Sequence, residues 1–485
     1  MEESAFYCVS NLQALPCNLE GSNASVCVML LSSFGQRFVS NLTGSSMLEI
    51  AVLTVAIPLL VVFRHATISN SMAGGSLKKN DDAVAESRNM KTYLTTLCLD
   101  YLAIVLPVVS FVTVLADWTY IGSFLIVIFT LISVASKRYK FGGSSLSFQG
   151  DSNSLRAYIS SYRFIVMIMT CECILAVDFR IFPRRLAKTE TYGTSLMDLG
   201  VGSFVVVNSF VSRQARNIKT IGWKNAVQSS IPLIILGFIR FVTTAGVNYQ
   251  LHVSEYGVHW NFFFTLAGVS ILTSMVNIPP QYSGILGSLV LVVYQLCLLL
   301  GLNNYLLSNE RGTDIISQNK EGLFSLFGYW GMYLVGVHLG NYLFFETSSS
   351  ASKSSRWVRI RVWILCLSFG LLSVLLDRYV EKASRRMCNL PYVVMVFANN
   401  LQIFSILMLG DLVPGSKISL LEEAFNRNLL PTFLLANILT GLVNMSMNTL
   451  SASSFTATCI LIVYTFVLSI TAGIADFYGI KLKLG

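Results

Sequence analysis

Ser283-Gly-Ile-Leu-Gly-Ser-Leu-Val-Leu-Val-Val-Tyr-Gln-Leu-Cys-Leu-Leu-Leu-Gly301 runs for nineteen residues without a charge. A helix crossing the hydrocarbon core of a bilayer needs about 20 apolar residues, and in lipid only a helix or a closed barrel satisfies its own backbone groups. Twelve more apolar runs lie at 47–63, 97–115, 121–136, 162–177, 194–212, 226–246, 259–276, 323–345, 357–376, 391–410, 429–449 and 455–475. Of the 485 residues 54% are apolar and 12% charged, and mean hydropathy is +0.63. A soluble domain carries about 25% charged residues. This composition excludes a disordered chain, a charge-driven nucleic-acid binder and an ordinary cytosolic enzyme. The expected fold is an all-α polytopic integral membrane protein with about thirteen transmembrane helices. An irregular N-terminal extension over 1–35 precedes a multi-span domain over 36–485. Segments 65–92, 137–160, 346–356 and 411–428 read as loops, and no repeat or two-halves symmetry is visible.

The net charge of +9 arises from 34 Lys and Arg against 25 Asp and Glu. With the N-terminus in the lumen, the cytosolic segments hold 22 basic residues and the opposite side 11, with Arg240 inside a span. The positive-inside bias therefore places the N-terminus in the lumen and the C-terminus in the cytosol. Asn23 and Asn41 then head sequons on the glycosylated side, whereas Asn444-Met-Ser446 falls within a span. The tail Lys481-Leu-Lys483-Leu-Gly485 reads either as a dilysine retrieval signal or as a pair of topology anchors; the first reading points to the endoplasmic reticulum membrane. Of the ten cysteines, seven lie in or beside apolar runs, where a buried small hydrophobe is expected. The four histidines are scattered, so no metal site is expected.

Two lumenal loops break the orienting bias. Asp178-Phe-Arg-Ile-Phe-Pro-Arg-Arg-Leu-Ala-Lys188 and the segment Arg378–Arg386 carry eight of the eleven basic residues on that side. Arg184, Arg185, Arg385 and Arg386 are accordingly candidates for contact with an anionic substrate, a phosphoinositide or the phosphates of coenzyme A; ordinary contact with lipid phosphate is the alternative. Asp178 ends a span, and Lys188 follows beyond Pro183, which argues against a continuous helix and lets the loop fold back. A carboxylate at the membrane edge is partly desolvated and poised as a base, with an ammonium nearby for a developing oxyanion. The same two residues could equally be an ion pair closing the loop. Glu172, Asp198, Arg240, Asn437 and Asn444 are intramembrane polar residues and so are suspect. Asp198 and Arg240 suit an interhelical pair. Asn437 and Asn444, seven apart, share a helix face and suit a hydrogen bond to a neighbour or a cavity lining. Glu172 has no evident partner. Glu255 and His259 lie one helical turn apart in an aromatic segment, where the histidine is either an acid/base group or a structural one.

The stretches Ile174–Glu190 and Tyr192–Phe204, with Phe38–Gly44, His252–Phe263, Asn319-Lys-Glu-Gly322, Ser384-Arg-Arg386 with Asn389-Leu390, and Leu435–Met445, closely resemble the inositol acyltransferase family of GPI-anchor synthesis. Members are called PIG-W or, in fungi, GPI-anchored wall transfer protein. The resemblance runs in order over most of the chain. It implies thirteen spans, residence in the endoplasmic reticulum, and transfer of a fatty acyl group from an acyl-CoA such as palmitoyl-CoA to the 2-hydroxyl of inositol in glucosaminyl-phosphatidylinositol. It implies Asp178 and Lys188 as the catalytic pair. Arg184, Arg185, Glu255, His259, Asn319, Arg385, Arg386 and Asn444 fall at or near the site as substrate-binding candidates. No cofactor is implied beyond acyl-CoA as co-substrate, and the partners are the two substrates and membrane lipid, not nucleic acid. Arg180 stands where relatives usually have proline, and Glu172 lies where the span is usually apolar or small. The rival classes are a lipid or anion transporter or scramblase and a non-catalytic scaffold of the GPI pathway.

Overall fold

The structure, a computed structural model, describes residues 42–68, 89–140, 152–218, 223–245, 253–308, 310–345, 355–414 and 418–481. The N-terminal extension, Asn23, Asn41 and the tail after residue 481 lie outside the described residues.

Every apolar run becomes a helix. Among the described residues ten helices are long and apolar enough to cross a membrane: α1 (Met47–Thr67), α2 (Met90–Val112), α3 (Ala116–Lys140), α4 (Ser152–Ala176), α8 (Pro280–Leu307), α9 (Lys320–Phe345), α10 (Ser355–Tyr379), α11 (Leu390–Leu412), α13 (Leu429–Ser446) and α14 (Ser454–Phe477). The other three runs form α5 (Leu196–Phe210), α6 (Trp223–Ala245) and α7 (Phe262–Val276), whose apolar stretches among the described residues are shorter, Ala226–Val242 in the case of α6. Of the thirteen expected spans, ten thus have a helix of spanning length among the described residues. Two of them, α5 and α7, begin a little after the start of their runs, because side chains cap them. The Ser195 hydroxyl accepts from Asp198 N, and Asn261 Oδ1 accepts from the backbone of Phe263 and Phe264; such caps satisfy N–H groups that a helix start leaves unpaired.

The segment 411–428 is not a plain loop. It contains α12 (Leu420–Arg427), started by a capping box in which Ser419 and Glu422 exchange side-chain and backbone hydrogen bonds. This helix is polar on one side and lies across the ends of α2, α4 and α14. Helices α4 and α11 form the enclosed centre, with Phe164, Ile168, Tyr392, Val396, Phe397 and Leu401 all buried. By contrast α3 and α10 present Phe124, Phe129, Leu367 and Leu371 outward. An apolar exterior around a partly polar interior is the pattern of a lipid-solvated bundle.

One close approach fixes the loop between α10 and α11. A Cβ on Gly328 of α9 would lie 2.1 Å from the carbonyl oxygen of Cys388, and Cys388 itself holds a left-handed backbone with φ 49°. Gly328→Ala is expected to destabilise the protein by about 1–3 kcal/mol through overpacking against backbone. Thermal unfolding of detergent-solubilised protein checks this, and an unchanged midpoint would mean that the two segments can separate freely.

Candidate functional site

The chain leaves α4 through a tight turn. Asp178 N donates to Leu175 O at 3.1 Å and Phe179 N to Ala176 O at 3.1 Å. Phe179, Phe182, Leu186 and Ala187 are buried, so alternate apolar residues anchor the loop while Asp178 stays half-buried at its edge. Pro183 starts a single 3-10 turn over Arg184–Leu186. The Arg184 guanidinium then folds back and donates to the carbonyls of Val177, Phe179 and Phe182 at 2.8–3.1 Å. Arg184 is thus a clip that closes the loop on itself. Arg185 turns the other way, to Glu49 at 2.9 Å and Asp117 at 2.7 Å.

Asp178 and Lys188 do not form an ion pair with each other. Asn444 Nδ2, from the end of α13, donates to Asp178 Oδ2 at 2.8 Å. Lys188 Nζ donates to Glu255 Oε1 at 2.9 Å. Burial raises the Asp178 carboxyl above its ordinary range, and the Asn444 hydrogen bond and the charges of Arg184 and Lys188 oppose that rise. Lys188 therefore still acts on Asp178 through space, while its own contact is with Glu255.

Glu255 also receives Arg385 Nη1 at 3.0 Å, and Arg385 Nε reaches Asp198 at 2.8 Å. Asp198, Arg385, Glu255 and Lys188 thus form one unbroken ionic chain drawn from four separate segments. Asp198 further accepts from Thr189 N and Oγ1, and Tyr392 Oη donates to the Asp198 carbonyl at 2.8 Å. Burial disfavours the Glu255 carboxylate, but the charges of Lys188, Arg385 and Arg240 outweigh it and hold the group at about 2. The expected Asp198–Arg240 pair is replaced: Asp198 pairs with Arg385, and Arg240 acts on Glu255.

A second ionic cluster adjoins the first. Glu321 Oε1 accepts from Arg386 at 2.9 Å and from Arg311 at 2.6 Å. Asn319, at the head of α9, accepts the backbone N–H groups of His259 at 2.7 Å and Trp260 at 3.0 Å through Oδ1. This explains why the apolar run read from 259 starts its helix only after Asn261. Asn319 shapes the turn that carries Glu255, and the exposed His259 packs its ring 5.4 Å from Phe241. Asn437 bonds within its own helix to Phe433 O, so of the two asparagines only Asn444 reaches the site. Arg180 is exposed. The carboxylate of Glu172 is buried and accepts no hydrogen bond among the described residues.

The structure thus gathers Asp178, Lys188, Asn444, Glu255, Asp198 and Arg385, with Arg386 and Asn319 behind them. Arg184 and Arg185 are occupied by loop carbonyls and by carboxylates of α1 and of the first turn of α3. Glu321 and Arg311, which complete the second cluster, escaped the sequence reading. A buried acid was nonetheless implied by the basic pair Arg385-Arg386, since buried charges need partners.

The family model GWT1 matches residues 33–475. The chain is 35% identical to the phosphatidylinositol-glycan biosynthesis class W protein of Dictyostelium discoideum, over 92% of this chain and 98% of that protein. It is 35% identical to GPI-anchored wall transfer protein 1 of Schizosaccharomyces pombe, over 93% and 98%. An uncharacterised protein of Arabidopsis thaliana shares 52% identity over 88% of this chain. A family model covering nearly the whole chain, and full-length relatives on a many-helix membrane fold, mean that the chain belongs to the GWT1 (PIG-W) family of GPI-anchor biosynthesis.

Proposed function

We propose that this protein is an acyl-CoA-dependent O-acyltransferase of the endoplasmic reticulum membrane that acylates the inositol 2-hydroxyl of glucosaminyl-phosphatidylinositol. The names of the relatives place the family in GPI-anchor assembly. The observation that carries the chemistry is a half-buried Asp178 with no ion pair of its own, hydrogen-bonded by Asn444 and lying within the field of Lys188.

In the reaction Asp178 accepts the proton of the inositol 2-hydroxyl as that oxygen attacks the thioester carbonyl carbon. The carbonyl oxygen becomes an oxyanion, and Lys188, fixed by Glu255, directs a remaining N–H toward it. Collapse breaks the C–S bond, and the leaving thiolate takes the proton from Asp178, which returns to its starting state. The ionic chain from Asp198 to Lys188 prepositions the ammonium, so it need not reorganise during the reaction.

The test uses microsomes from cells that lack inositol acylation, with this protein added back and labelled palmitoyl-CoA supplied. Acylated glucosaminyl-phosphatidylinositol is the expected product. A well-expressed protein that yields none would refute the transferase and leave a transporter or scaffold role in its place.

A further inference from the structure

Around the Ser384-Arg385-Arg386 segment most carboxylates have a donor on each oxygen. Asp198 takes Arg385 Nε and Thr189 N on Oδ1 and the Thr189 hydroxyl on Oδ2. Glu321 takes Arg386 and Arg311 on Oε1 and Arg311 again on Oε2. Glu381 takes Tyr192 Oη on one oxygen and Gln295 Nε2 and Asn389 Nδ2 on the other, at 2.7–3.0 Å. Two carboxylates differ. Asp178 takes Asn444 on Oδ2, and Glu255 takes both Lys188 and Arg385 on Oε1. Among the described residues nothing donates to Asp178 Oδ1 or to Glu255 Oε2. A carboxylate offers about four lone-pair sites, and a partly buried oxygen without a donor is costly unless solvent or a ligand fills it.

Lys188 links the two open oxygens: its ammonium touches Glu255 at 2.9 Å and its charge acts on Asp178. Lys188 and Glu255 are 39% and 20% exposed, whereas Arg385 and Asp198 are 3% and 0%. The ionic chain is therefore sealed at one end and open at the Glu255 end. Glu255 is also held in place. The turn after it is fixed by Asn319, by Val258 N donating to Gln318 O at 3.0 Å, and by Asn261 Nδ2 donating to Gly237 O at 2.9 Å. A Cβ on Gly257 would lie 2.5 Å from the Asn319 Cα, so the turn has no slack. An anion fixed before its ligand arrives costs little to organise on binding.

An open oxygen on an ionised carboxylate calls for a charged hydrogen-bond donor. The charges of an acyl-CoA are phosphates, which this oxygen repels. The acceptor carries a phosphodiester and, on its glucosaminyl group, the one cation of the two substrates. Lys188 and Arg385 converge on the other oxygen of Glu255. The ammonium also enters with the phosphodiester of its own molecule, so the headgroup that meets these cations is neutral overall. We infer that Glu255 Oε2 receives the glucosaminyl ammonium of the acceptor, and that Glu255 thereby selects the free amine over its N-acetylated form. This deepens the transferase reading and rests on it for the identity of the acceptor.

Purified full-length protein in phosphatidylcholine nanodiscs is titrated with dihexanoyl glucosaminyl-phosphatidylinositol and with its N-acetyl and N-methyl counterparts. Wild type is expected to bind the N-acetyl form about tenfold or more weakly than the free amine, the loss of one charge-assisted hydrogen bond. The N-methyl form keeps the charge and adds bulk, so it should bind within about threefold of the free amine. Glu255→Gln keeps an acceptor for Lys188 and Arg385 but removes the charge, and should reduce the preference for the amine to about twofold or less. Lys188→Met disturbs the same chain from its other side and should leave that preference in place. A general loosening of the site lowers both affinities and leaves their ratio unchanged, so the ratio reports recognition rather than fold.

Equal weakening by the N-methyl and N-acetyl groups would overturn the inference, since bulk and not charge would then be read; that comparison needs no variant to fold. A preference retained by Glu255→Gln would overturn it as well, because some other group would then hold the amine. Binding needs no turnover, so the outcome is independent of the acylation assay. This binding pattern with no acylated product would sink the transferase and spare the site, and acylation by a wild type without amine preference would do the reverse.

Discussion

Asp178→Asn is expected to lower acyl transfer by about 10²–10⁴-fold at equal expression, the usual contribution of a general base, with little change in stability. The substitution keeps the size of the side chain and can still hydrogen-bond Asn444. The turn itself is held by Phe179 and Phe182, which are buried, and by the Arg184 clip. Folding and chemistry are therefore separable at this position. The pH dependence carries a definite sign. Only the ionised carboxylate can accept a proton, so activity rises with pH through the folded value, which burial places above the ordinary 3.8. The Asn444 hydrogen bond favours the ionised form. Asn444→Leu should move the acid limb of the rate profile to higher pH, and Lys188→Ala should do the same by removing a favourable charge. An Asp178→Asn protein as active as wild type would remove Asp178 from the mechanism. An acid limb fixed in both neighbour variants would mean that some other group titrates.

Hydropathy alone located the apolar helices found among the described residues, because exclusion of charge from lipid is a local property of each run. It did not locate their ends. The run read from 259 begins its helix after Asn261 because Asn319, sixty positions away, takes the intervening backbone N–H groups. Within 411–428 the pattern Ser419-Leu-Leu-Glu422 was itself a legible capping box, hidden by the polar residues around it. The site was legible in its members and not in its pairings. Charges at a membrane edge are rare enough that Asp178, Lys188, Glu255, Asp198, Arg385 and Arg386 could be picked out singly. Which acid faces which base depends on helix packing: Asp198 is 187 positions from Arg385, and the nearer Arg240 serves Glu255 instead. Arg184 and Arg185 read alike in sequence, yet one clips its own loop and the other reaches Glu49 of α1.

Arg385→Gln is expected to be the most damaging substitution for stability, by about 3–5 kcal/mol, because it strands a buried charge rather than deleting a contact. Arg385 is 3% exposed and Asp198 is fully buried, so Asp198 would be left with neutral hydrogen bonds alone. Lysine cannot stand in for the arginine, since Nε serves Asp198 and Nη1 serves Glu255 at the same time. The double variant Arg385→Met/Asp198→Leu should recover much of the loss, since a buried ion pair exchanged for apolar residues is often neutral. Glu255 keeps Lys188 in that background, and its depressed value of about 2, against an ordinary 4.5, should rise only part of the way. In the native protein this carboxylate contributes stability that is present above about pH 4.5 and is lost as the pH falls toward about 2. The two links that Glu255 makes, to Lys188 and Arg385, therefore hold from neutral pH down to about pH 4.5. Thermal half-life of the solubilised protein measures the stability effects, and acyl transfer measures how well Lys188 is held. A stable Arg385→Gln would show that the chain of charges is not what joins the second basic loop to α5. A double variant restored in stability but still slow would separate the two duties of the cluster, supporting the fold and aiming the ammonium.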